Sequence, residues 1–387
     1  MVFARSERLN RLPKQFFADL TARAARLVHQ GHDVINLGQG NPDLPTPAFI
    51  VEALKEAADD PITHRYPPFR GLSSLREAIA SFYWRHYQVQ VDPEREVAIL
   101  FGGKAGLGEI SLALLNAGDA ALVPDPGYPD YLSGIALAGA RAVPYLLLEK
   151  NCFLPDYEMI GKEDWRQAKL LFLNYPNNPT GAMATAEVFE ETVAMAVRHQ
   201  VAVVHDFAYG AIGFVGKPRS FLQTEGGKEV GVEIYTLSKT FNMAGWRVAF
   251  AVGNERMIEA LELLQDHLYV SLFGAVQKAA TAALAGGDEA AVGLAKTYLQ
   301  RRDSFLRVLR EGGYPDLIVA DGTFYVWLPT PTRRGSKDFA DRLLNEAHVV
   351  VAPGVGFGEG GEGYVRVALL AAPERLEEGA KRILSVL

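Results

Sequence analysis

The chain has 387 residues, of which 49% are hydrophobic and 22% charged, and its net charge is −7. Its length allows a large core and a second domain, and the acidic balance argues against a nucleic-acid partner, because phosphate backbones are bound by clustered Lys and Arg. With Cys152 as the single cysteine and no apolar run long enough for a signal core or a membrane span, we expect a cytoplasmic protein without disulfide bonds or membrane contact.

The N-terminal part is predicted to be mainly helical, with two loops of unusual composition. Helical spacing of apolar residues indicates helices at residues 14–30, 46–58 and 73–87. A strand at 34–37 leads into the turn Gly38-Gln39-Gly40-Asn41, whose glycines allow the backbone to approach a ligand. The loop 64–71 places Tyr66 among Arg and Pro residues, as binding loops often do, although packing under the prolines is the alternative.

Strands and helices alternate over residues 97–252. Strands are predicted at 97–101, 120–123, 142–147, 170–173, 201–204 and 234–237. Such alternation indicates a parallel sheet with helices on both faces. Because the carboxyl ends of parallel strands meet at one edge, we expect the residues that follow these strands to share it: Gly103, Tyr128, Asn178, Asp206 and Lys239.

Several of these strand ends suggest chemistry. The glycine turn 102–106 precedes a helix predicted at 107–116, and a helix N-terminus binds anions. Asp206 ends an apolar strand, where a carboxylate needs a cation or a donor. Lys239 also follows an apolar strand, with Arg247 eight positions later. Burial and a nearby cation both favour the neutral, nucleophilic amine, whereas a solvated loop lysine is the alternative.

The C-terminal part is predicted to form a smaller α+β domain. Helices are expected at 255–284, as one helix or two, and at 289–310, 337–347 and 372–387, with strands at 317–319, 322–328, 349–351 and 364–370. We assign residues 46–280 to a large domain, and 1–45 with 281–387 to the arm and small domain. Arg366 lies in an apolar strand, as an edge charge or as a planar fork for a carboxylate.

Together these motifs resemble the class I/II aminotransferases of the fold type I pyridoxal-phosphate family. The resemblance rests on Asn-Asn-Pro-Thr-Gly at 177–181, Asp-Phe-Ala-Tyr at 206–209, Ser238-Lys239 with Arg247, and Arg366, in the family's order. It implies an α/β fold with a mostly parallel seven-stranded sheet between helices and a smaller α+β domain. It also implies ping-pong transfer of an amino group between an L-amino acid and a 2-oxo acid, with pyridoxal 5′-phosphate as cofactor and no metal.

The resemblance assigns roles to individual residues. Lys239 would bind the cofactor covalently and move the substrate Cα proton, Asp206 would keep the pyridine nitrogen protonated, and Tyr209 would act with Asn178 at the phenolic oxygen. Tyr128 would stack on the ring. The phosphate would lie among Gly103, Lys104, Ala105, Thr236, Ser238 and Arg247. Arg366 would bind the substrate carboxylate with help from Asn178 and Gly40.

Two further implications concern the partner subunit and Lys104. Tyr66 would reach the phosphate bound by the other subunit, which implies a homodimer with shared active sites. Lys104 stands where the family more often has a small or hydroxyl residue, so the role of its side chain is open.

A narrower resemblance concerns the substrate. The motifs at residues 14–18, 36–43, 101–106, 174–181 and 205–210 resemble the bacterial methionine-salvage aminotransferases, which convert 4-methylthio-2-oxobutanoate to methionine. Aminotransferases for aspartate, aromatic amino acids or LL-diaminopimelate, and a C–S lyase on the same fold, stay open, because these motifs surround the cofactor. Phe16, Phe17, Tyr325 and Trp327 are candidates for an apolar substrate pocket or for core packing.

Overall fold

The computed structural model describes residues 3–13, 16–333 and 335–387, with the backbone alone for 16–19. Its strands are β1 (Ile35–Asn36), β2 (Val97–Leu100), β3 (Ala120–Asp125), β4 (Arg141–Leu146), β5 (Ala168–Leu173), β6 (Ala202–Asp206), β7 (Gly231–Thr236), β8 (Ala249–Gly253), β9 (Tyr325–Pro329), β10 (Val349–Val350), β11 (Ala352–Pro353) and β12 (Tyr364–Ala368).

The helices alternate with the strands of the central part and dominate both ends. They are α1 (Glu7–Asn10), α2 (Phe16–His29), α3 (Ala48–Asp59), α4 (Ser73–Tyr87), α5 (Gly103–Leu114), α6 (Tyr131–Ala138), α7 (Lys162–Gln167), α8 (Ala186–His199), α9 (Gly227–Val230), α10 (Leu237–Thr240), α11 (Glu255–Leu268), α12 (Gly274–Gly286), α13 (Asp288–Glu311), α14 (Ser336–Ala347) and α15 (Pro373–Leu384). Across the described ranges, none of these helices is both long and apolar enough to cross a membrane.

A seven-stranded sheet forms the centre of the fold. Its strand order is β2-β8-β7-β6-β5-β3-β4, and β8 is antiparallel to both of its neighbours while the other pairs are parallel. Every residue of β2, β3, β7 and β8 is buried, as expected for strands covered by helices on both faces. The predicted α/β fold with a mostly parallel, seven-stranded sheet is confirmed.

The topology places five connections at one edge of this sheet. Since β2, β3, β5, β6 and β7 run in the same direction, the chain leaves all of them at the same side. Asp206 is the last residue of β6, and the segments after the other carboxyl ends carry Gly103, Tyr128, Asn178 and Lys239. Their predicted convergence is confirmed.

Smaller sheets join the two ends of the chain. β1 pairs in parallel with β10, with Ile35 opposite Val349, and β11-β12-β9 form an antiparallel sheet. Residues of β1, β9, β12 and helices α13 to α15 share one hydrophobic cluster. This cluster supports the grouping of both chain ends in one unit. The boundary at 280/281 stays a prediction, because α12 spans it and packs on α3.

The structure corrects three predicted elements. Residues 317–319 do not form a strand, because the backbone there finds no neighbouring strand, and Val319 is 48% exposed. Residues 255–284 form two helices, α11 and α12, separated at residues 269–273. Helix α5 begins at Gly103, four positions before the predicted 107, so residues 103–105 belong to its first turn and not to a flexible loop.

Candidate active site

A cavity of about 550 Å³ lies at the carboxyl edge of the seven-stranded sheet. The segment 38–41 and strands β9 and β12 close its opposite side. Most of the predicted site residues line it: Gly40, Gly103, Lys104, Tyr128, Asn178, Asp206, Tyr209, Thr236, Ser238, Lys239, Arg247 and Arg366. Residues from seven separate stretches of the sequence therefore share one space.

Two predicted site residues lie outside the lining of this cavity. Ala105 is in the first turn of α5, where its backbone N–H has no acceptor within the helix. Tyr66 is 88% exposed, on the loop that follows the single turn Pro61–His64. The structure of one subunit therefore leaves the predicted roles of both residues untested.

Lys239 lies partly buried in the wall of the cavity. It lies in the short helix α10, where the hydroxyl of Thr236 accepts a hydrogen bond from the backbone N–H of Ser238. Its Nζ donates a hydrogen bond of 2.8 Å to the backbone oxygen of Gly40. Burial, together with the positive charges of Arg366 and Arg247, lowers the pKa of Lys239 from 10.5 to about 8. The alternative of a solvated loop lysine is excluded. The sequence indicated only Arg247 as a cation near Lys239, and the structure adds Arg366.

Asp206 presents a buried carboxylate at the end of β6. Its Oδ2 accepts a hydrogen bond of 2.9 Å from the hydroxyl of Tyr131, and its Oδ1 accepts one of 3.3 Å from the backbone of Ala208. Burial raises the pKa of Asp206 from 3.8 to about 6 despite these donors. Its charge is thus only partly compensated, and a cationic group in the cavity would stabilise the ionised form.

β12 is the central strand of its sheet, so Arg366 is not an edge charge. Its guanidinium is instead a planar fork that is held by two hydrogen bonds. Its NH1 donates to Oδ1 of Asn178 and its NH2 to the backbone oxygen of Gly38, both at 2.9 Å. The guanidinium also lies over Tyr325, 4.1 Å from the ring centroid. Within the described chain its buried Nε has no partner. Each terminal nitrogen has a second N–H, which an anionic group such as a carboxylate in the cavity would accept.

Tyr325 connects the two sides of the cavity. The hydroxyl of Tyr209 donates to that of Tyr325 at 3.2 Å. A Cβ at position 40 would clash with the same hydroxyl, so glycine is required there for the close approach. Asn178 gives its Oδ1 to Arg366, which leaves its Nδ2 as the group available to a ligand.

The other end of the cavity is suited to an anion. The first backbone N–H groups of α5 lack helical acceptors, and the positive end of the helix dipole lies with them. Gly102 has φ of +91°, and a Cβ there would contact the guanidinium of Arg247. The hydroxyls of Thr236 and Ser238, 2.9 Å apart, complete this anion-binding cup.

The open question about Lys104 has a structural answer. Its Nζ lies 2.9 Å from Oδ1 of Asp130 in a salt bridge. The ammonium is therefore already paired at the rim, while the backbone N–H of Lys104 still belongs to the first turn of α5.

Sequence reasoning missed residues that support the site from behind. Tyr131 bonds to Asp206, and the side chain of Asn174 donates to the backbone oxygen of Asp206 and accepts from the backbone of Asn178. The run of asparagines before Pro179 was the available signal for Asn174. No signal marked Tyr131, which became a partner of Asp206 only through packing across 75 positions.

The four candidates for an apolar substrate pocket differ in their positions. Tyr325 lines the cavity. Trp327 is fully buried and stacks on Tyr364 with ring centroids 5.1 Å apart, which makes it a core residue. The side chains of Phe16 and Phe17 lie outside the described part of the chain.

The residues present fit a phosphorylated pyridine aldehyde. A low-pKa amine can bind an aldehyde, a buried carboxylate can pair with a protonated ring nitrogen, and the cup at α5 can hold a phosphate. The guanidinium fork of Arg366 in the cavity wall would bind a substrate carboxylate beside them.

Comparisons with known proteins agree with this chemistry. The family model described as aminotransferase class I and II matches residues 32–383. An L-glutamine--4-(methylsulfanyl)-2-oxobutanoate aminotransferase from Bacillus subtilis is 56% identical over 99% of this chain and 96% of that protein. An LL-diaminopimelate aminotransferase from Syntrophobacter fumaroxidans is 44% identical over 99% of both chains. A substrate-bound structure of BacF from Bacillus subtilis has a TM-score of 0.95 and 49% identity, covering 100% of this chain and 98% of that chain.

Proposed function

Because the chain belongs to the class I and II aminotransferases, which depend on pyridoxal phosphate, we propose that it forms methionine by transferring an amino group to 4-methylthio-2-oxobutanoate. The observation that carries the substrate is the 56% identity, over nearly the full length of both chains, to a relative named for that reaction. The name of the relative also makes L-glutamine the proposed amino donor.

The charges of the cavity support an uncharged substrate side chain. Among the described lining residues, the basic ones are Lys104, Lys239, Arg247 and Arg366. Lys104 is paired with Asp130, and the other three have roles at the cofactor and at the α-carboxylate. A second substrate carboxylate would find no spare cation in this part of the chain. A methylthioethyl group or a carboxamide needs none.

Each residue contributes a separate step. When bound, pyridoxal phosphate supplies an aldehyde that exchanges amino groups and a ring that accepts electrons released at the substrate Cα. Lys239 carries an amine that is easily deprotonated, so its Nζ would bind the cofactor and then move the proton at Cα. The carboxylate of Asp206 would accept a hydrogen bond from the ring nitrogen and keep that nitrogen protonated. Asn178 and Tyr209 would donate to the phenolic oxygen, and Tyr128 would pack on the ring.

The remaining contacts would orient the substrate and hold the phosphate. Arg366 would bind the α-carboxylate through the second N–H groups of its two terminal nitrogens, assisted by the backbone at Gly40. The cup of Gly103, Lys104, Ala105, Thr236, Ser238 and Arg247 would hold the phosphate. Since one arginine serves the carboxylate of both acids, donor and acceptor would use the site in turn, as in a ping-pong reaction.

A substrate panel tests the proposal. We expect the highest kcat/KM for glutamine with 4-methylthio-2-oxobutanoate, measured as the 2-oxo acid and amino acid products. Aspartate with 2-oxoglutarate, aromatic amino acids and LL-diaminopimelate serve as the competing pairs. A higher kcat/KM for one of them would reassign the substrate. Release of ammonia and a 2-oxo acid without any acceptor would indicate a C–S lyase.

Replacement of Arg366 by lysine tests the carboxylate site. Lysine keeps the charge but loses the planar fork, so hydrogen bonds worth about 1.5 to 3 kcal/mol to a charged group are lost. We expect kcat/KM to fall by about 10- to 150-fold, chiefly through KM. The matched control is Arg302→Lys, because Arg302 is also largely buried but lies over Phe214, away from the cavity. Equal effects at both positions would remove the proposed role of Arg366.

We propose a homodimer on the basis of an exposed aromatic surface. Tyr66, Phe69, Ile62 and Phe273 are 88%, 57%, 60% and 46% exposed on neighbouring elements. A surface of this kind is typical of a subunit interface. We expect a mass of two chains by light scattering at micromolar concentration, and a weaker affinity for pyridoxal phosphate in Tyr66→Phe. A monomer that keeps full activity would contradict the shared site.

A further inference from the structure

A second cavity, of about 450 Å³, lies between helix α4, residues 210–218 and helix α13. It shares no lining residue with the cavity that contains Lys239. Nevertheless, Gly210 and Thr240 in its wall directly follow Tyr209 and Lys239 in the chain. The short segments 209–210 and 239–240 therefore lie between the two cavities.

The wall of the second cavity is rich in aromatic rings. These are Phe82, Tyr87, Phe214, Tyr235 and Phe241. Phe82 and Tyr235 meet edge to face, with centroids 5.4 Å apart. Val292 in the wall is 55% exposed, so apolar surface is left uncovered there. The volume is in the range of sites for small organic ligands, and the wall is apolar enough to contact a flat apolar ring.

The charges at the opening favour an anion. Asp288 is already shared by His86 at 2.9 Å and Arg85 at 3.4 Å. Lys217 donates to the backbone oxygen of His86 and lies 4.8 Å from the centroid of Tyr87. Within the described ranges, neither Lys217 nor Lys296 forms a salt bridge, although both line the cavity. Two lysines thus line a cavity whose one described acidic lining residue, Asp288, has other partners.

We propose that this cavity binds a small aromatic carboxylate, whose ring lies among the aromatic side chains and whose carboxylate is held by Lys217 and Lys296. A ligand there would be in contact with the segments that carry Tyr209 and Lys239, without entering the catalytic cavity. The chemistry requires a ring and an anionic group and no 2-amino or 2-oxo group, so the ligand need not be a substrate.

Calorimetric titration of the holoenzyme with 3-phenylpropionate tests this site, because the compound lacks the group that reacts in transamination. Ala291→Trp would fill the cavity, and Ala295→Trp, one turn later on α13, is the second variant in case the first does not fold. Ala290→Trp is the matched control, since it precedes Ala291 but does not line the cavity. We expect binding at least tenfold weaker in the two cavity variants, unchanged binding in the control and unchanged kcat in all three.

The double variant Lys217→Glu/Lys296→Glu tests the role of the two positive charges, and Lys337→Glu on α14 is the control. We expect at least tenfold weaker binding only in the double variant, and equally weak binding of 3-phenylpropanamide to the unaltered enzyme. Absence of binding at millimolar concentration would overturn the proposal. Unchanged binding in both cavity variants, together with its loss in Arg366→Lys, would also overturn it, because the compound would then occupy the catalytic cavity.

Discussion

Replacement of Lys239 by alanine is expected to lower kcat by about 10⁴-fold or more, because one side chain binds the cofactor and moves the proton. The other lysine of the cavity cannot substitute, since the Nζ of Lys104 is paired with Asp130 at 2.9 Å. Activity assays measure the loss. Borohydride reduction followed by mass spectrometry supplies a second readout: the unaltered holoenzyme should retain one cofactor on the peptide that contains Lys239, and the variant none.

Lys104→Ala is the matched control for this prediction. It removes a lysine from the same cavity but should leave the covalent label in place and kcat within about tenfold, because the phosphate contact of residue 104 uses its backbone. Covalent labelling or near-normal activity in Lys239→Ala would show that another group binds the cofactor.

The environment of Lys239 predicts a pH dependence of its reactivity. Its pKa of about 8 in the cofactor-free protein means that the amine loses its proton as the pH rises through 8. The rate of acylation at Lys239 should therefore rise up to this pH and then level off. For solvated lysines the rate should continue to rise up to their pKa of about 10.4. Between pH 8 and 10.5 the unfolded chain binds the additional proton, so this group makes folding more favourable as pH rises.

Replacement of Asp206 by asparagine is expected to lower kcat by about 10²- to 10³-fold, the usual loss when one preorganised electrostatic group is removed from an active site. Asparagine has nearly the same shape and can still accept from Tyr131, but it carries no negative charge to stabilise a protonated ring nitrogen. The control Tyr131→Phe removes the hydrogen bond and keeps the charge, so its kcat should fall less than that of Asp206→Asn. A similar kcat for Asp206→Asn and the unaltered enzyme would contradict the assigned role.

Cofactor affinity gives an independent check on Asp206. Its pKa of about 6 means that the carboxylate is ionised above this pH and neutral below it. The affinity for pyridoxal phosphate should therefore fall as the pH drops through 6, since the attraction for the cationic ring is lost. Protonation of Lys239 also weakens binding below pH 8 in both proteins, so Asp206→Asn should lose only the additional, steeper fall near pH 6.

Local patterns were enough to predict the central sheet. The apolar runs at β5, β6 and β7 and the intervening helices follow from side-chain periodicity, which depends on neighbouring residues alone. The shared edge then followed from the parallel direction of the strands. The prediction of a strand at 317–319 was wrong, because a strand needs a second backbone and the sequence of one segment does not show whether a partner is near.

The start of α5 shows a similar limit. Glycines at 102, 103 and 106 predicted a flexible turn, but only Gly102 needs a positive φ, and the helix begins directly after it. Helix propensity is a weak preference that tertiary contacts override. Here the sheet fixes the preceding strand, and the helix packs against α6 and α11.

The sequence by itself determined the family, the strand ends that meet and the chemical type of each residue at Lys239, Asp206, Asn178 and Arg366. Only the tertiary structure decided how these groups act on one another: the bond from Tyr131 to Asp206, the bond from Arg366 to Asn178, and the approach of Tyr325 to Gly40. The physical reason is that burial and long-range pairing set these pKa values and contacts, and both arise only when segments far apart in the chain pack together.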